Sequence, residues 1–230
     1  MIYEDALPGL GRTVSLEIDE RDGLYALMVA RPMFGETPYF NNVALTLVRG
    51  TPKQTRFLTP GSKGVPLPLP RRQWPDRPPD FAGRGKGWAE HADWIHGACG
   101  IETKSLYAID CSCGRGNSQA ALDYFAGSFV PETDHYSIVA LDRAGNVILR
   151  AGQYGNVDDG VPIVRDGGSP AARSIGGDEL ALVHPCGIAV HTDRRLVVTD
   201  VGNARLVSVR LGYHATETVR LKDVRDRTGE

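Results

Sequence analysis

Apolar and polar residues alternate most clearly in the C-terminal third of the chain. Gly187-Ile188-Ala189-Val190 is a short apolar segment, and a polar turn runs from His191 to Arg195. Leu196-Val197-Val198-Thr199-Asp200 follows, then a second turn at Val201-Gly202-Asn203. In Arg205-Leu206-Val207-Ser208-Val209-Arg210-Leu211 the period of two places Val207, Val209 and Leu211 on one face. The pattern predicts strands of about five residues joined by hairpin turns, with no 3.6-residue period of a helix.

The middle of the chain repeats this scheme. Ala121-Leu122-Asp123 leads through the turn at Ala126-Gly127 to Ser128-Phe129-Val130-Pro131-Glu132, and after Thr133-Asp134-His135 comes Tyr136 to Leu141. Asp142 to Asn146 reads as a hairpin loop, with Gly145 available for positive φ, and Val147-Ile148-Leu149 returns from it. A shift of 68 residues lays Leu122 on Val190, Glu132 on Asp200 and Ile138 on Leu206 without a gap. A shift of 104 lays Ile18 on Leu122 and Gly23 on Gly127, giving a third copy. That copy is interrupted by Arg31 to Phe40 before its next strand, Val43 to Arg49. A four-strand unit repeated in this way predicts propeller blades, here at about 14–60, 117–151 and 186–222. Ordinary blades repeat at about 40–45 residues, so the excess falls in loops. Residues 50–90 hold eight of the 15 prolines and read as a Pro/Gly-rich loop; a second long connection runs from Gly152 to Pro185. A short helix is expected only over Gly87 to Ile95.

Pro185-Cys186-Gly187-Ile188-Ala189-Val190 and Val198-Thr199-Asp200-Val201-Gly202-Asn203-Ala204-Arg205-Leu206 resemble an NHL repeat, whose pattern is P-x-G-I-A-V, a strand ending in V-x-D, then G-N-x-R. The copy at Ala121 to Leu149 keeps Asp123 and the A-G-N-V turn with Gly145 and Asn146, but has Glu132 in place of the Asp and lacks G-N-x-R. The resemblance implies an all-β chain, an NHL-type β-propeller in a partial set of about three to four blades with long inter-blade loops. Its repeat signature would be Asp200, Asn203, Arg205, Gly187, Asp123, Gly145 and Asn146. Physically, Asp200, Asn203 and Arg205 are suited to stitching a hairpin, since Asn tolerates left-handed geometry and Arg pairs with carboxylate or carbonyl oxygens.

Charge narrows the partners. With 26 Lys+Arg against 28 Asp+Glu, the formal net charge of -2 argues against electrostatic capture of nucleic acid. No apolar run approaches the ~20 residues of a membrane helix, so membrane insertion is not expected. The first residues carry neither a basic nor an apolar leader region, and four cysteines are too few for a disulfide scaffold. Localisation therefore stays open, extracytoplasmic placement included should the natural N-terminus lie further upstream.

Two functional classes remain. The first is a binding scaffold for a protein, peptide or glycan, with the long loops, 50–90 above all, as the binding face. The second is a metal-dependent lyase or hydrolase-like enzyme. The loops entering the innermost strands of a propeller converge on one face, which would gather Cys99, Cys111, Cys113, His184 and Cys186 as ligands, joined by His135 or His191. Zinc suits that set; Asp158-Asp159 reads as a pair of solvated turn residues, which would hold calcium only with oxygens from neighbouring loops completing the shell. Two familiar motifs are excluded: Gly83 to Gly87 lacks a preceding strand and a G-K-[ST], and His91 and His96 are five apart rather than the four of H-E-x-x-H. An incomplete set of blades would expose apolar end faces, so the sequence is expected to be the C-terminal part of a longer propeller or to pair with a second copy of itself.

Overall fold

The structure is a computed structural model that describes residues 6–11, 13–38, 44–58, 75–82, 86–101, 118–156, 180–191 and 195–211. It is all-β. β1 (Thr13–Ile18) and β2 (Leu24–Met28) form an antiparallel pair, and the chain then leaves the sheet for a hairpin of β3 (Arg31–Phe34) and β4 (Thr37–Pro38). It returns as β5 (Ala44–Gly50), antiparallel to β2. Three short strands follow, β6 (Arg56–Leu58), β7 (Phe81–Ala82) and β8 (Lys86–Glu90). β9 (Ala92–Ile101) then completes the first sheet in the order β1-β2-β5-β9. The strands left over build a sheet of their own, β4-β3-β7-β8-β6.

This revises three expectations. The first unit does not close near residue 60, because its fourth strand is β9. Residues 50–90 are not a loop throughout: β6, β7 and β8 lie in them, and residues 59–74, with Pro66 to Pro70, fall outside the described part. Gly87 to Ile95 is no helix; β8 ends at a turn where His91 takes a φ of 55°, and β9 begins after it. Gly87 passes so close to Phe81 that a Cβ would stand 2.2 Å from the ring, which favours the extended, glycine-bearing strand found there.

The second sheet is a meander of β10 (Ala121–Leu122), β11 (Ser128–Glu132), β12 (Ser137–Leu141) and β13 (Val147–Ala151). β14 (Gln153–Tyr154) and β15 (Ala181–Leu182) pair in parallel across the second long connection. β16 (Pro185–His191), β17 (Arg195–Asp200) and β18 (Arg205–Arg210) make the third sheet. Pairing registers reproduce the sequence shifts residue by residue. Leu122↔Ser128, Val130↔Val139 and Glu132↔Ser137 in the second sheet become Val190↔Leu196, Val198↔Val207 and Asp200↔Arg205 in the third. The 3-10 turn Thr133–His135 becomes Val201–Asn203, with Tyr136 (φ 53°) and Ala204 (φ 49°) as its left-handed ends. The shift of 104 holds from β1 to Met28 and lapses where β3 and β4 are inserted.

The sheets stack face to face because each strand alternates between two cores. Tyr25, Leu27, Leu45 and Leu47 meet Val130, Val139 and Leu141 between the first and second sheets. Phe129, Ile138 and Ala140, on the other face of the second sheet, meet Ile188, Leu196 and Val198 of the third. Leu24, Ala26, Met28 and Val48 turn away from the second sheet and pack under Phe57, Phe81 and Ala89 of the inserted sheet. The outer face of the third sheet is mixed, carrying Thr199, Ser208 and Arg210 beside the exposed Leu206.

Candidate functional site

Two buried carboxylates occupy the same place in successive repeats. Asp200 closes β17, and its backbone enters the 3-10 turn directly. Its Oδ1 accepts the backbone N–H groups of Val183 (3.1 Å) and His184 (2.9 Å). Its Oδ2 accepts from Asn203 Nδ2 (2.6 Å) and Arg205 Nε (3.3 Å). Asn203 also donates to the Gly155 carbonyl at 3.0 Å, and Arg205 donates to the Ala181 carbonyl. The trio thus ties the β17–β18 turn to the segment that links the second and third sheets. Burial pushes the Asp200 carboxyl up, but the His184 N–H, Asn203, the Val183 N–H and Arg205 outweigh it and lower the pKa.

Glu132 stands at the equivalent point of β11, and its longer side chain reaches different groups. Arg150 on β13 grips it through Nε (2.5 Å) and Nη2 (3.0 Å). His96 of β9 places Nε2 3.7 Å from Oε1, and His135 places Nδ1 3.8 Å from Oε2. These are ion-pair separations rather than hydrogen bonds, and His96 Nε2 is buried without a hydrogen-bond partner. Burial raises the Glu132 pKa; His96, Arg150 and His135 outweigh it and hold it at about 2. The carboxylate is therefore ionised throughout the physiological range and bridges the first and second sheets.

A third carboxylate, Asp19, anchors the opposite end of the first sheet. It receives the N–H groups of Gly23 (2.8 Å) and Arg21 (2.9 Å), the Tyr25 hydroxyl (3.2 Å), Arg49 (3.0 Å) and, from the second sheet, Arg143 (3.2 Å). Burial opposes ionisation, yet Arg49, the two N–H groups and Arg143 lower its pKa to about 2. Asp123, 104 residues on, makes the same turn by accepting from Phe125 N (2.9 Å) and Gly127 N (2.7 Å). Asp142 likewise accepts from Asn146 N (2.8 Å) and Nδ2 (3.0 Å). Gly145 lies against the Trp94 ring, where a Cβ would come within 2.6 Å.

Of the residues expected to bind metal, the described Cys99, His184 and Cys186 do not form one group. Cys99 is fully buried between the first and second sheets, with Sγ 3.4 Å from the His96 carbonyl and 3.7 Å from that of Leu45. Burial, with a smaller push from Glu132, raises its thiol to about 12. Cys186 is buried at the start of β16, where burial and Asp200 raise it to about 11. His184 gives its backbone N–H to Asp200, and burial lowers its imidazole pKa. Cys99 thus sits with Glu132, and His184 and Cys186 with Asp200. Among the described residues no three His, Cys, Asp or Glu side chains converge as a metal site. Cys111, Cys113 and Asp158-Asp159 lie outside the described residues.

A cleft was not legible in the sequence. It has a volume of about 480 Å³ and opens between the β3–β4 hairpin and β9. Pro32, Met33, Pro78, Pro79 and Ile95 line it, with Phe34 at its rim, 79% exposed. Glu36 in the hairpin turn pairs with Lys86 of β8, holding that rim in place. Among the described lining residues Asp80 is the one ionisable side chain, and Arg77 pairs with it at 2.5 Å.

No family model and no curated protein matches the chain. Among solved structures it is similar to selenomethionine-substituted virginiamycin B lyase from Staphylococcus aureus, at 11% identity and a TM-score of 0.20, over 92% of this chain and 86% of that chain. A likeness at that level carries no argument about fold or chemistry.

Proposed function

We propose that the chain is an NHL-type β-propeller segment whose repeats are blades, and that it works as a binding scaffold rather than an enzyme. The register identity of successive sheets, turn for turn, supports the blade reading. One observation carries the binding role: the apolar cleft of about 480 Å³ falls within the range of small-ligand pockets. It is built by the insertion that interrupts the first repeat together with residues 78–80 and β9, in keeping with variable elements on a repeated frame taking on recognition. The chemistry-bearing groups support the same side. Glu132 and Asp200 are engaged by fixed donors, and Cys99 and Cys186 are held as thiols, poor as nucleophiles or ligands. The test is a fragment screen by protein NMR, run beside elemental analysis of untagged protein. Neutral apolar fragments should shift the amides of Phe34, Ile95 and Ala98, and Phe34→Ser should abolish those shifts. Hits that cluster away from the cleft, or stoichiometric zinc in the purified protein, would overturn the reading.

A further inference from the structure

The first and second sheets carry the same aspartate-locked turn with different residues at its tip. In the first, Asp19 holds the turn and Glu20 and Arg21 project from it, their side chains 3.5 Å apart. In the second, Asp123 makes the equivalent bonds, and the projecting residues are Tyr124 and Phe125. Ala126, at a φ of 60°, turns back into the core and is fully buried, which leaves the tip little freedom. Tyr124 is 85% and Phe125 81% exposed, their rings edge to face with centroids 5.4 Å apart. The fold does not need aromatic rings there, since the first sheet forms the same turn with charged residues. Two large rings held in water by a rigid turn are recognition surface.

Charge decides what they recognise. The guanidinium groups at this end are engaged: Arg49 by Asp19 and Asp93, Arg143 by Asp19 and Glu20, and Arg21 by Glu20. Among the described residues Asp123 and Asp142 accept only from backbone N–H groups and Asn146, and no described cation pairs with either. Exposed ring faces at an end of the sheet that also carries these carboxylates suit a cation and repel anionic surfaces. We propose that the β10–β11 tip is a docking point for a basic peptide segment, whose Arg or Lys side chains lie over Tyr124 and Phe125.

The test titrates the full chain with an oligo-arginine peptide, a neutral oligosaccharide and anionic vesicles in parallel. Saturable peptide binding is expected, with chemical-shift changes at the two rings. The double variant Tyr124→Glu, Phe125→Arg reproduces the first tip without changing net charge, so its melting temperature should match the wild type while peptide affinity falls roughly tenfold. The proposal is overturned if that variant binds the peptide as well as the wild type does. It is equally overturned if no saturable binding occurs, or if vesicles or oligosaccharide bind more tightly. Loss of fragment binding at Phe34 would leave this result untouched, because the cleft and the tip share no residue.

Discussion

Asp200 and Glu132 fill one position in two consecutive repeats, and the extra methylene separates their roles. Asp200 is short, so it can only satisfy the turn it sits in and the linking N–H groups of Val183 and His184. Glu132 extends past its own turn to Arg150 on β13 and toward His96 in the neighbouring sheet. The same backbone thus hosts a local stitch in one repeat and an inter-sheet bridge in the next. Side-chain length, not register, sets how far each carboxylate reaches.

The contrast predicts unequal losses. Asp200→Ala removes an acceptor from four donors in a site with no exposed surface, and it should cost on the order of 3–5 kcal/mol in denaturant unfolding. A loss below that of Arg150→Ala would break the distinction. Arg150→Ala leaves a buried carboxylate facing the two imidazoles and the Ser137 hydroxyl, and about 1–2 kcal/mol should be lost. Glu132→Gln should cost least, about 1 kcal/mol or below, because Arg150 is 49% exposed and can turn to water.

That last variant sharpens the comparison through pH. Glu132 is lowered from 4.5 to about 2, so its contribution is present above pH 4.5 and is lost as pH falls toward 2. Melting temperatures between pH 5 and 2 should therefore decline less steeply in Glu132→Gln than in the wild type. Asp19, also lowered to about 2, keeps part of the slope in both proteins. Parallel acid limbs would show that Glu132 is not the titrating bridge.

Much of the architecture was legible because it is local. Strands from Leu122 to Leu141 and from Val190 to Val209 announce themselves by alternation, and the shifts of 68 and 104 residues match the pairing registers. The partner of β5 was not legible. β9 pairs with it across the whole stretch from Gly50 to Ala92, and no periodicity records a pairing so distant in sequence. The Pro-rich composition also concealed β6, β7 and β8, which are too short to show alternation. Of the expected ligand set Cys99, Cys111, Cys113, His184 and Cys186, the three described members Cys99, His184 and Cys186 are not gathered together, for a related reason. Chain position placed them near strand ends, but which sheet-to-sheet interface each side chain enters depends on stacking. For the same reason, the approach of His96 to Glu132 left no trace in the pattern.

Phe57, Phe81 and Ala89, lying over Leu24, Ala26, Met28 and Val48, give the stack a direction. One outer surface of the described stack is covered by a sheet that has a different strand order from the repeats. Among the described residues the two outer faces of the stack are therefore unlike: one lies beneath a sheet of another strand order, and the other is a mixed surface of Thr199, Leu206, Ser208 and Arg210.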